Sequence, residues 1–369
     1  MRPSGNGSAR YRIRKTRSYH EVAGQFASND YLSLSRHPHV IEAGQQALTQ
    51  WGAGSSGSPL LSGYTLQHQA LEEELADWLG MPACLLFSSG YAANHGCLTT
   101  LIEAGQNVFC DRLCHASLLD GLKHSRRRFR RFAHNQIPGT GIDPDDWLIT
   151  EGTFSMDGDY VDHVAVQKSV DQHGTKLFLD DAHGLGVWGE QGLASFGRLR
   201  RQTRLLTGTF GKAFGVGGAF VAADIADIEQ LIQYCREYIY STAFSPAQAA
   251  CIRASLQLIR SDEGDQRRRQ LKENIAYFRQ LARHHGLQGI ESSSPIQVWI
   301  LGDDAQAVNY ARQLAEANIH VSAVRPPTVP EGTARLRFSL QADHTSADIE
   351  ALFAAIERLL PDSGNRRAV

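Results

Sequence analysis

The sequence predicts an α/β protein built on a largely parallel sheet, followed by a smaller second domain. Between about residues 65 and 225, short apolar runs that end in small or polar residues alternate with amphipathic stretches. This alternation is typical of strands connected by helices. The chain has 369 residues, which is long enough for two domains. Its hydrophobic content of 42% suits a well-filled core.

We predict each strand from a short apolar run and each helix from an amphipathic one. In the first part of the chain, strands are expected within 83–90, 107–112, 146–152, 176–184, 204–210 and 217–223, and helices within 67–80 and 90–105. Further on, helices are expected within 225–240, 245–261, 306–318 and 346–360, and strands within 295–302 and 334–340. Because the composition shifts after residue 260, we predict an amino-terminal arm (1–31), a large domain (32–259) and a small carboxyl-terminal domain (260–369).

Composition and charge argue against several classes of function. The formal net charge of −2 leaves no global basic field for nucleic acid. No apolar run approaches the roughly 20 residues that span a bilayer. The amino-terminal stretch is basic but lacks the apolar segment of a signal peptide, so we expect a cytoplasmic protein.

The sequence contains six cysteines and no C-x-x-C pair. This pattern favours reduced, mostly buried thiols over a disulfide framework. Cys110, Cys114 and His115 lie close together in the sequence, but no fourth zinc ligand is evident nearby. We therefore expect no metal site.

Four of the predicted strands end in residues that can carry chemistry, in the sequences SSGY, EGTFS, DDAH and GTFGK. In open α/β sheets, ligands gather outside the carboxyl ends of the strands. One such end is common, whereas four of them indicate a site.

Asp180 follows the apolar run KLFL, where a carboxylate is costly unless it is paired. Taken alone, it also fits the N-cap of a helix or a metal site shared with His183. The stretch Ser88–Gly96 exposes main-chain N–H groups at a helix start, which favours a phosphate, although many α/β turns look alike.

Lys212 lies among glycines and small residues in TFGKAFGVGG. A lysine in such a place can form a Schiff base with a carbonyl compound, or it is an incidental cation in a flexible loop. The glycines would let a planar ring and a phosphate approach the main chain. Together the strand ends suggest pyridoxal phosphate, with its aldehyde on Lys212 and its ring nitrogen at Asp180. Its phosphate would lie at Gly90, Tyr91 and Thr209.

These motifs resemble those of the α-oxoamine synthases, a family of fold type I pyridoxal-phosphate enzymes. TFGK, DDAHG and CHASLLDG mark the family, and SNDYLSLS, SSGYAAN and TEGTFSMDGD also match. The matching stretches span most of the chain after residue 28. The resemblance implies a large domain with a mostly parallel seven-stranded sheet and a smaller carboxyl-terminal α+β domain.

The resemblance also implies roles for individual residues around the cofactor. Lys212 would bind the cofactor and act as the base at the substrate α-carbon, while His115 would stack on the ring and Asp180 would bind its nitrogen. The other cofactor-binding residues would be Gly90, Tyr91 and Thr209 at the phosphate, and Ser155 and His183 at the phenolic oxygen.

For the substrates, the resemblance implies a second set of residues. Arg337 would clamp the amino-acid carboxylate, and Glu151 would orient or transfer a proton. The remaining substrate-binding residues would be Asn29, His115, Thr328 and an arginine of the amino-terminal arm, Arg12 or alternatively Arg10. Three departures from the family pattern are Cys114 and Gly217, where the family usually has serine, and a comparatively short amino-terminal arm.

The implied reaction is a decarboxylative condensation of an amino acid with an acyl thioester. RPPTVPEGTARLR and FAHN favour the branch that joins L-alanine to pimeloyl-CoA or pimeloyl-ACP in biotin biosynthesis. A related synthase that uses glycine and acetyl-CoA stays open, as does a catalytically silent partner subunit, although the presence of Lys212 argues against silence. Family members are homodimers, with Ser241 and Thr242 near the partner's phosphate. The basic run RRRFRR (126–131) would attract coenzyme A phosphates or form a solvated face.

Overall fold

The computed structural model describes residues 24–360, which form two compact units. The large unit holds Leu32–Ser155 and Tyr160–Arg268, and the small unit holds residues 24–31, Met156–Asp159 and residues 269–360. The division after Arg268 falls inside one long helix. We keep the domain limits 32–259 and 260–369 as a prediction. Arg10 and Arg12 lie outside the described residues.

The large unit is built on seven strands with helices between them. The strands are β1 (Ala83–Phe87), β2 (Val108–Asp111), β3 (Phe129–Phe132), β4 (Trp147–Glu151), β5 (Lys176–Asp180), β6 (Thr203–Thr209) and β7 (Ala219–Ala223). The helices are α1 (Pro38–Trp51), α2 (Leu66–Leu79), α3 (Gly90–Leu101), α4 (Ala116–His124), α5 (His163–His173), α6 (Ala194–Leu199), α7 (Ile225–Tyr234), α8 (Arg236–Ile239) and α9 (Pro246–Ile259). A π-helix at Pro59–Gly63 and a short 3-10 helix at Glu190–Gly192 complete the large unit.

The seven strands form one sheet in the order β1-β7-β6-β5-β4-β2-β3. β7 runs antiparallel to both of its neighbours, whereas the other six strands share one direction. The predicted α/β fold with a mostly parallel seven-stranded sheet is therefore confirmed. The six parallel strands have their carboxyl ends on the same side of the sheet. The ends of β1, β4, β5 and β6 therefore bring their polar residues to one place.

Two of the differences from the sequence prediction concern β3 and the helices that follow β7. β3 is an edge strand and overlaps the basic run 126–131, for which the sequence predicts a contact with coenzyme A phosphates or a solvated face, but no strand. Two of its four residues are exposed arginines, so it lacks the apolar pattern of a buried strand. The single helix predicted within 225–240 is two helices, because Cys235 adopts an extended conformation with ψ of 109°.

Apolar side chains hold α3, α4 and α7 against the sheet. The buried cluster there includes Leu98, Leu118, Leu122 and Leu231 from the helices and Val108, Ile149, Phe178, Leu205 and Val221 from the strands. Each such side chain contributes about 1.5–3 kcal/mol when it is fully buried. This packing fixes the amino-terminal ends of α3 and α4 over the sheet edge at which the polar strand ends meet.

At the carboxyl ends of β4 and β5, two glycines pack directly against a buried acid. Asp181 follows β5, is fully buried, and accepts the main-chain N–H of Phe196 at 2.8 Å. Burial raises the pKa of Asp181 to about 7. A Cβ on Gly152 would lie 2.2 Å from the Asp181 Oδ1 atom, and one on Gly184 would lie 2.1 Å from it. No side chain fits at either position without displacing Asp181.

Glu72 connects α2 to β1 in the same unit. Its carboxyl accepts the hydroxyl of Tyr64 at 2.6 Å and the main-chain N–H of Leu86 at 3.1 Å. Burial raises the pKa of Glu72 to about 7. The folded protein therefore favours the protonated acid at this position.

The small unit carries a three-stranded antiparallel sheet in the order β8-β10-β9. Its elements after the long helix α10 (Asp262–His284) are β8 (Ile296–Gly302), α11 (Asp304–Glu316), β9 (Ser322–Val324), β10 (Ala334–Ser339) and α12 (Ser346–Glu357).

All six cysteines are free thiols and five of them are buried, as predicted. Within residues 24–360, no helix combines the length and the apolar character needed to span a membrane.

We expect Gly152→Ala to destabilise the protein by about 1–3 kcal/mol, because the new methyl group overpacks the space beside Asp181. Gly139→Ala is the matched control, since a Cβ there meets nothing within 4 Å. Denaturant unfolding of both variants measures the difference. Equal stability of Gly152→Ala and Gly139→Ala would contradict the close packing described for Asp181.

We expect Glu72→Gln to remove part of the pH dependence of stability. The pKa of Glu72 in the folded protein is raised to about 7 from an ordinary 4.5. The protonated side chain therefore makes its full contribution to the free energy of unfolding below about pH 4.5. That contribution is lost as the pH rises towards 7, because the unfolded chain releases this proton first. The loss amounts to at most about 3 kcal/mol. Urea unfolding from pH 4.5 to 8 tests this, with Glu73→Gln on the exposed side of α2 as the control; parallel curves for wild type and Glu72→Gln would refute it.

Candidate active site

Two carboxyl groups lie side by side where β4 and β5 end. Glu151 and Asp180 are directly paired residues of the two parallel strands, and both are buried. Burial raises the pKa of Glu151 well above its usual range, and the charge of Asp180 raises it further, whereas Lys212 lowers it. Because the neutral form of Glu151 is favoured, the repulsion that a second charge would exert on Asp180 is reduced.

Asp180 is held by one hydrogen bond to each carboxylate oxygen. The Asn94 side chain donates its Nδ2–H to Asp180 Oδ2 at 2.6 Å, and the main-chain N–H of Ala182 donates to Oδ1 at 3.1 Å. Asn94 lies on α3 and is 2% exposed. The second bond is the local Asx pattern expected of an aspartate after a strand. Sequence reasoning found Asp180 but missed Asn94, since nothing local marks which face of α3 meets the sheet.

His115 occupies the N-cap position of α4. Its main-chain N–H donates to Glu151, and its Nδ1 atom accepts the main-chain N–H of Ser117 at 3.3 Å. The residue is exposed, yet desolvation by the surrounding protein lowers the pKa of its imidazole, with an opposing effect from Asp180. Cys114, the first departure from the family pattern, is a buried thiol whose pKa burial raises well above its usual range. It is therefore not an activated nucleophile.

Lys212 lies in a tight loop after β6 that buried aromatic residues anchor. Phe210 and Phe214 on either side are fully buried, with ring centroids 5.2 Å apart. The Lys212 carbonyl accepts the N–H of Gly215 at 2.8 Å. Gly215 has a φ of +69°, and a Cβ on it would lie 2.3 Å from the main-chain nitrogen of Ser35. This position therefore requires glycine. The loop holds the half-buried lysine close enough to His115, Glu151 and Asp181 to shift the pKa of each.

The start of α3 and the end of β6 form a candidate anion cradle. Ser89 caps α3, with its Oγ accepting the N–H of Ala92 at 3.1 Å. Gly90 opens the helix, and a Cβ on it would lie 3.9 Å from the Cβ of Thr209. The first N–H groups of a helix have no intrahelical partner and favour an anion. The Tyr91 hydroxyl donates to Asp120 at 2.9 Å, so the main chain of Tyr91, not its phenol, belongs to this cradle.

The remaining predicted residues of the large unit follow the same strands. Ser155 lies four residues after Glu151, His183 lies three residues after Asp180, and both are buried. Thr209 donates its hydroxyl to the carbonyl of Gly218 at 3.0 Å. Gly217, the second departure, lies in the same turn, where a Cβ would be 3.4 Å from Gln248.

In the small unit, the structure brings together two predicted substrate-binding residues. Arg337 on β10 is buried, and its Nη1 donates to Asn29 Oδ1 at 3.2 Å and to the Ser339 hydroxyl at 2.9 Å. The Tyr31 hydroxyl donates to the same Asn29 oxygen at 3.2 Å. Burial raises the pKa of Tyr31, with an opposing effect from Arg337. Sequence reasoning missed Tyr31 and Ser339. Thr328 is exposed, after the cis peptide bond Pro326–Pro327.

Comparisons with known proteins identify the family of this chain. A family model described as aminotransferase class I and II matches residues 24–356. The 8-amino-7-oxononanoate synthase of Enterobacter sp. (strain 638) is 46% identical over 340 residues, which cover 89% of this chain and 88% of the relative. The corresponding synthase of Klebsiella pneumoniae subsp. pneumoniae is also 46% identical, over 337 residues that cover 90% of this chain and 88% of that relative.

Solved structures show the same fold. A serine palmitoyltransferase variant of S. paucimobilis, with a bound pyridoxal-phosphate–myriocin aldimine, has a TM-score of 0.84 at 29% identity and covers 90% of this chain and 87% of its own. The 8-amino-7-oxononanoate synthase of Francisella tularensis has a TM-score of 0.79 at 31% identity and covers 90% and 96%. The chain therefore belongs to the class I and II aminotransferase family, among whose members its relatives include 8-amino-7-oxononanoate synthases.

Proposed function

We propose that the chain condenses L-alanine with pimeloyl-CoA, or pimeloyl-ACP, and releases 8-amino-7-oxononanoate, the free thiol and carbon dioxide, as a step of biotin biosynthesis. The observation that carries the proposal is a lysine, a buried aspartate and a capping histidine at one sheet edge. This set lies in a chain that is 46% identical to relatives named for that product.

The residues at this edge fit pyridoxal phosphate. The cradle of Gly90, Tyr91 and Thr209 suits a phosphate, and the Lys212 amine suits an aldehyde. Asp180, held by Asn94 at 2.6 Å, offers an oriented carboxylate for a protonated ring nitrogen. When bound, the cofactor would supply an electron sink for the negative charge that develops at the α-carbon of the amino acid.

The side chains of the large unit then have distinct tasks. Lys212 Nζ removes the proton from the α-carbon of alanine and returns a proton to that carbon at the end. Asp180 would keep a proton on the ring nitrogen of the bound cofactor, and Ser155 and His183 would hold its phenolic oxygen. His115 would cover one face of the bound ring, while Glu151 orients His115 by accepting its main-chain N–H.

Atoms balance in the reaction without any oxidant. A carbon–carbon bond forms between the alanine α-carbon and the thioester carbonyl carbon, and the carbon–sulfur bond breaks, so that the thiol leaves. The carboxylate of alanine then leaves as carbon dioxide, and the electron pair of the broken bond accepts a proton at the α-carbon.

For substrate binding, the buried guanidinium of Arg337 suits the carboxylate of the amino acid. Asn29, 3.2 Å from it, keeps the guanidinium in place until the substrate binds. Thr328 lines the path of the acyl chain, and Arg12, with Arg10 as the alternative, meets its distant carboxylate. We further propose that the enzyme is a cytoplasmic homodimer, in which Ser241 and Thr242 approach the partner's phosphate.

We expect Lys212→Ala to abolish product formation and the visible absorption of the protein loaded with pyridoxal phosphate, because both need the amine. Lys176→Ala is the matched control, since Lys176 lies at the amino-terminal end of β5, opposite the end that carries Asp180. Absorption spectra and a product assay by mass spectrometry read out both properties. Turnover and colour that persist in Lys212→Ala would exclude this mechanism.

We expect L-alanine with a pimeloyl thioester to give the highest kcat/KM in a panel of amino acids and acyl donors. The panel pairs alanine, glycine and serine with pimeloyl-, acetyl- and palmitoyl-CoA, because the structurally similar proteins include a serine palmitoyltransferase. Mass spectrometry of the products distinguishes all nine pairs. A preference for glycine with acetyl-CoA would assign the chain to a different synthase, and no turnover with any pair would favour a silent partner subunit.

A further inference from the structure

A series of hydrogen bonds continues from Asp180 through Asn94, which holds its carboxylate, and through Ser117 to His115. Asn94 Nδ2 lies 2.6 Å from Asp180 Oδ2 and 2.9 Å from the Ser117 hydroxyl, and that hydroxyl lies 2.8 Å from His115 Nδ1. Asn94 is 2% exposed and Ser117 is fully buried. Water therefore has little access to the two linking residues.

The direction of each hydrogen bond follows from the chemistry of the groups. The amide nitrogen of Asn94 only donates, so it gives one hydrogen to Asp180 and the other to the Ser117 hydroxyl. A flipped amide would place an oxygen 2.6 Å from the carboxylate of Asp180 and repel it. Since the Ser117 oxygen accepts from Asn94, its own hydrogen is free to point to His115 Nδ1.

The Nδ1 atom of His115 is an acceptor on a second, independent ground. The main-chain N–H of Ser117 also points to it, at 3.3 Å, and an N–H group can only donate. A neutral imidazole that accepts at Nδ1 carries its hydrogen on Nε2. Desolvation lowers the pKa of this ring, which favours the neutral form.

We propose that Asn94 and Ser117 are positioning residues, which orient the carboxylate of Asp180 and hold His115 in the tautomer that carries its hydrogen on Nε2. Both tasks use the Asn94 amide, because one of its hydrogens goes to Asp180 and the other goes to the Ser117 hydroxyl that faces His115. The cost is visible in the structure: the Asn94 Oδ1 atom is buried and has no hydrogen-bond partner among the described residues. Buried polar atoms without a hydrogen bond are uncommon in native proteins, and this one belongs to an amide whose two N–H groups are both used.

This tautomer determines what His115 offers to a ligand. Nε2 makes no hydrogen bond within residues 24–360, and the residue is exposed. It therefore presents an N–H donor, not a lone pair, to whatever binds. For the proposed function, on which this last step rests, His115 would donate a hydrogen bond to an oxygen of the substrate, while proton removal from the α-carbon stays with Lys212.

The same unit contains two histidines that serve as internal references. His68 Nε2 faces the carbonyl of Phe244 at 2.8 Å and must carry a hydrogen, while its Nδ1 accepts the N–H of Thr65 at 3.2 Å. His95 Nδ1 faces the carboxylate of Glu237 at 2.5 Å and must carry a hydrogen there. Under identical conditions, His68 gives the reference signal of a ring that accepts at Nδ1, and His95 gives that of a ring that donates from Nδ1.

The test is a long-range ¹H–¹⁵N correlation spectrum of the full chain labelled in histidine, recorded near neutral pH before and after addition of pyridoxal phosphate. His115→Gln assigns the signal of His115. We expect His115 to match His68 in the wild type. In Ser117→Ala, the fraction with hydrogen on Nδ1 should rise roughly five- to tenfold, because one hydrogen bond to Nδ1 is lost. In Asn94→Leu, the same change should accompany roughly ten- to hundredfold weaker binding of pyridoxal phosphate, because the bond to a charged group is lost as well.

Ser169→Ala is the matched control for folding, since Ser169 is also buried on a helix and donates to the carbonyl of Pro138 at 3.0 Å. It should leave the His115 signal unchanged. A wild-type His115 signal like that of His95, or an unchanged signal in both Ser117→Ala and Asn94→Leu, would overturn the proposal. A fall in activity without a change in tautomer would do so too.

The outcome does not depend on the proposed reaction. The spectrum before cofactor addition needs no turnover, so the tautomer is measured even in a protein that is inactive on alanine. If the tautomer is as expected and no pimeloyl thioester reacts, the proposed function fails while the positioning role stands. If the reaction proceeds and His115 carries its hydrogen on Nδ1, the positioning role fails while the proposed function stands.

Discussion

The arrangement of the site depends on the 2.6 Å hydrogen bond from Asn94 to Asp180. It joins α3 to the end of β5, and α3 is also the helix whose first turn forms the anion cradle. Asp180 is a charge in a buried place, which would be costly without such a donor. One bond thus both compensates the carboxylate and fixes the distance between it and the cradle.

Strand direction supplies the rest of the geometry. Because β4, β5 and β6 run parallel, Glu151, Asp180 and the turn that carries Lys212 reach the same edge. At this place the charge of Asp180 raises the pKa of Glu151, and the charge of Lys212 lowers it. Burial raises the pKa of Glu151 well above its usual range, which favours its neutral form beside Asp180. The same acid accepts the main-chain N–H of His115, so Glu151 also helps to position the start of α4.

How much of this was predictable depends on the range of the interactions. The six strands and the motif residues Lys212 and Asp180 could be predicted, because a buried strand and its polar end are adjacent in sequence. β3 could not, because a short edge strand with two exposed arginines carries no apolar alternation. The helix α10 (Asp262–His284) was not predicted either, since its charged sequence hides the helical period. Asn94 and Ser117 act across 86 and 23 residues on partners that only the packing of α3 and α4 brings near.

The position of His115 at a helix start explains why a histidine can serve there without becoming a base. An N-cap side chain must accept from the first N–H groups of its helix, a task for which serine, threonine, aspartate and asparagine are preferred. When an imidazole takes that position, its Nδ1 lone pair is used by the helix, and the opposite nitrogen must carry the hydrogen if the ring is neutral. The fold of α4 thereby sets the proton position on a ring that lies beside Lys212 and Asp180. The sequence motif HAS encodes both the ring and the hydroxyl that holds it, two residues apart.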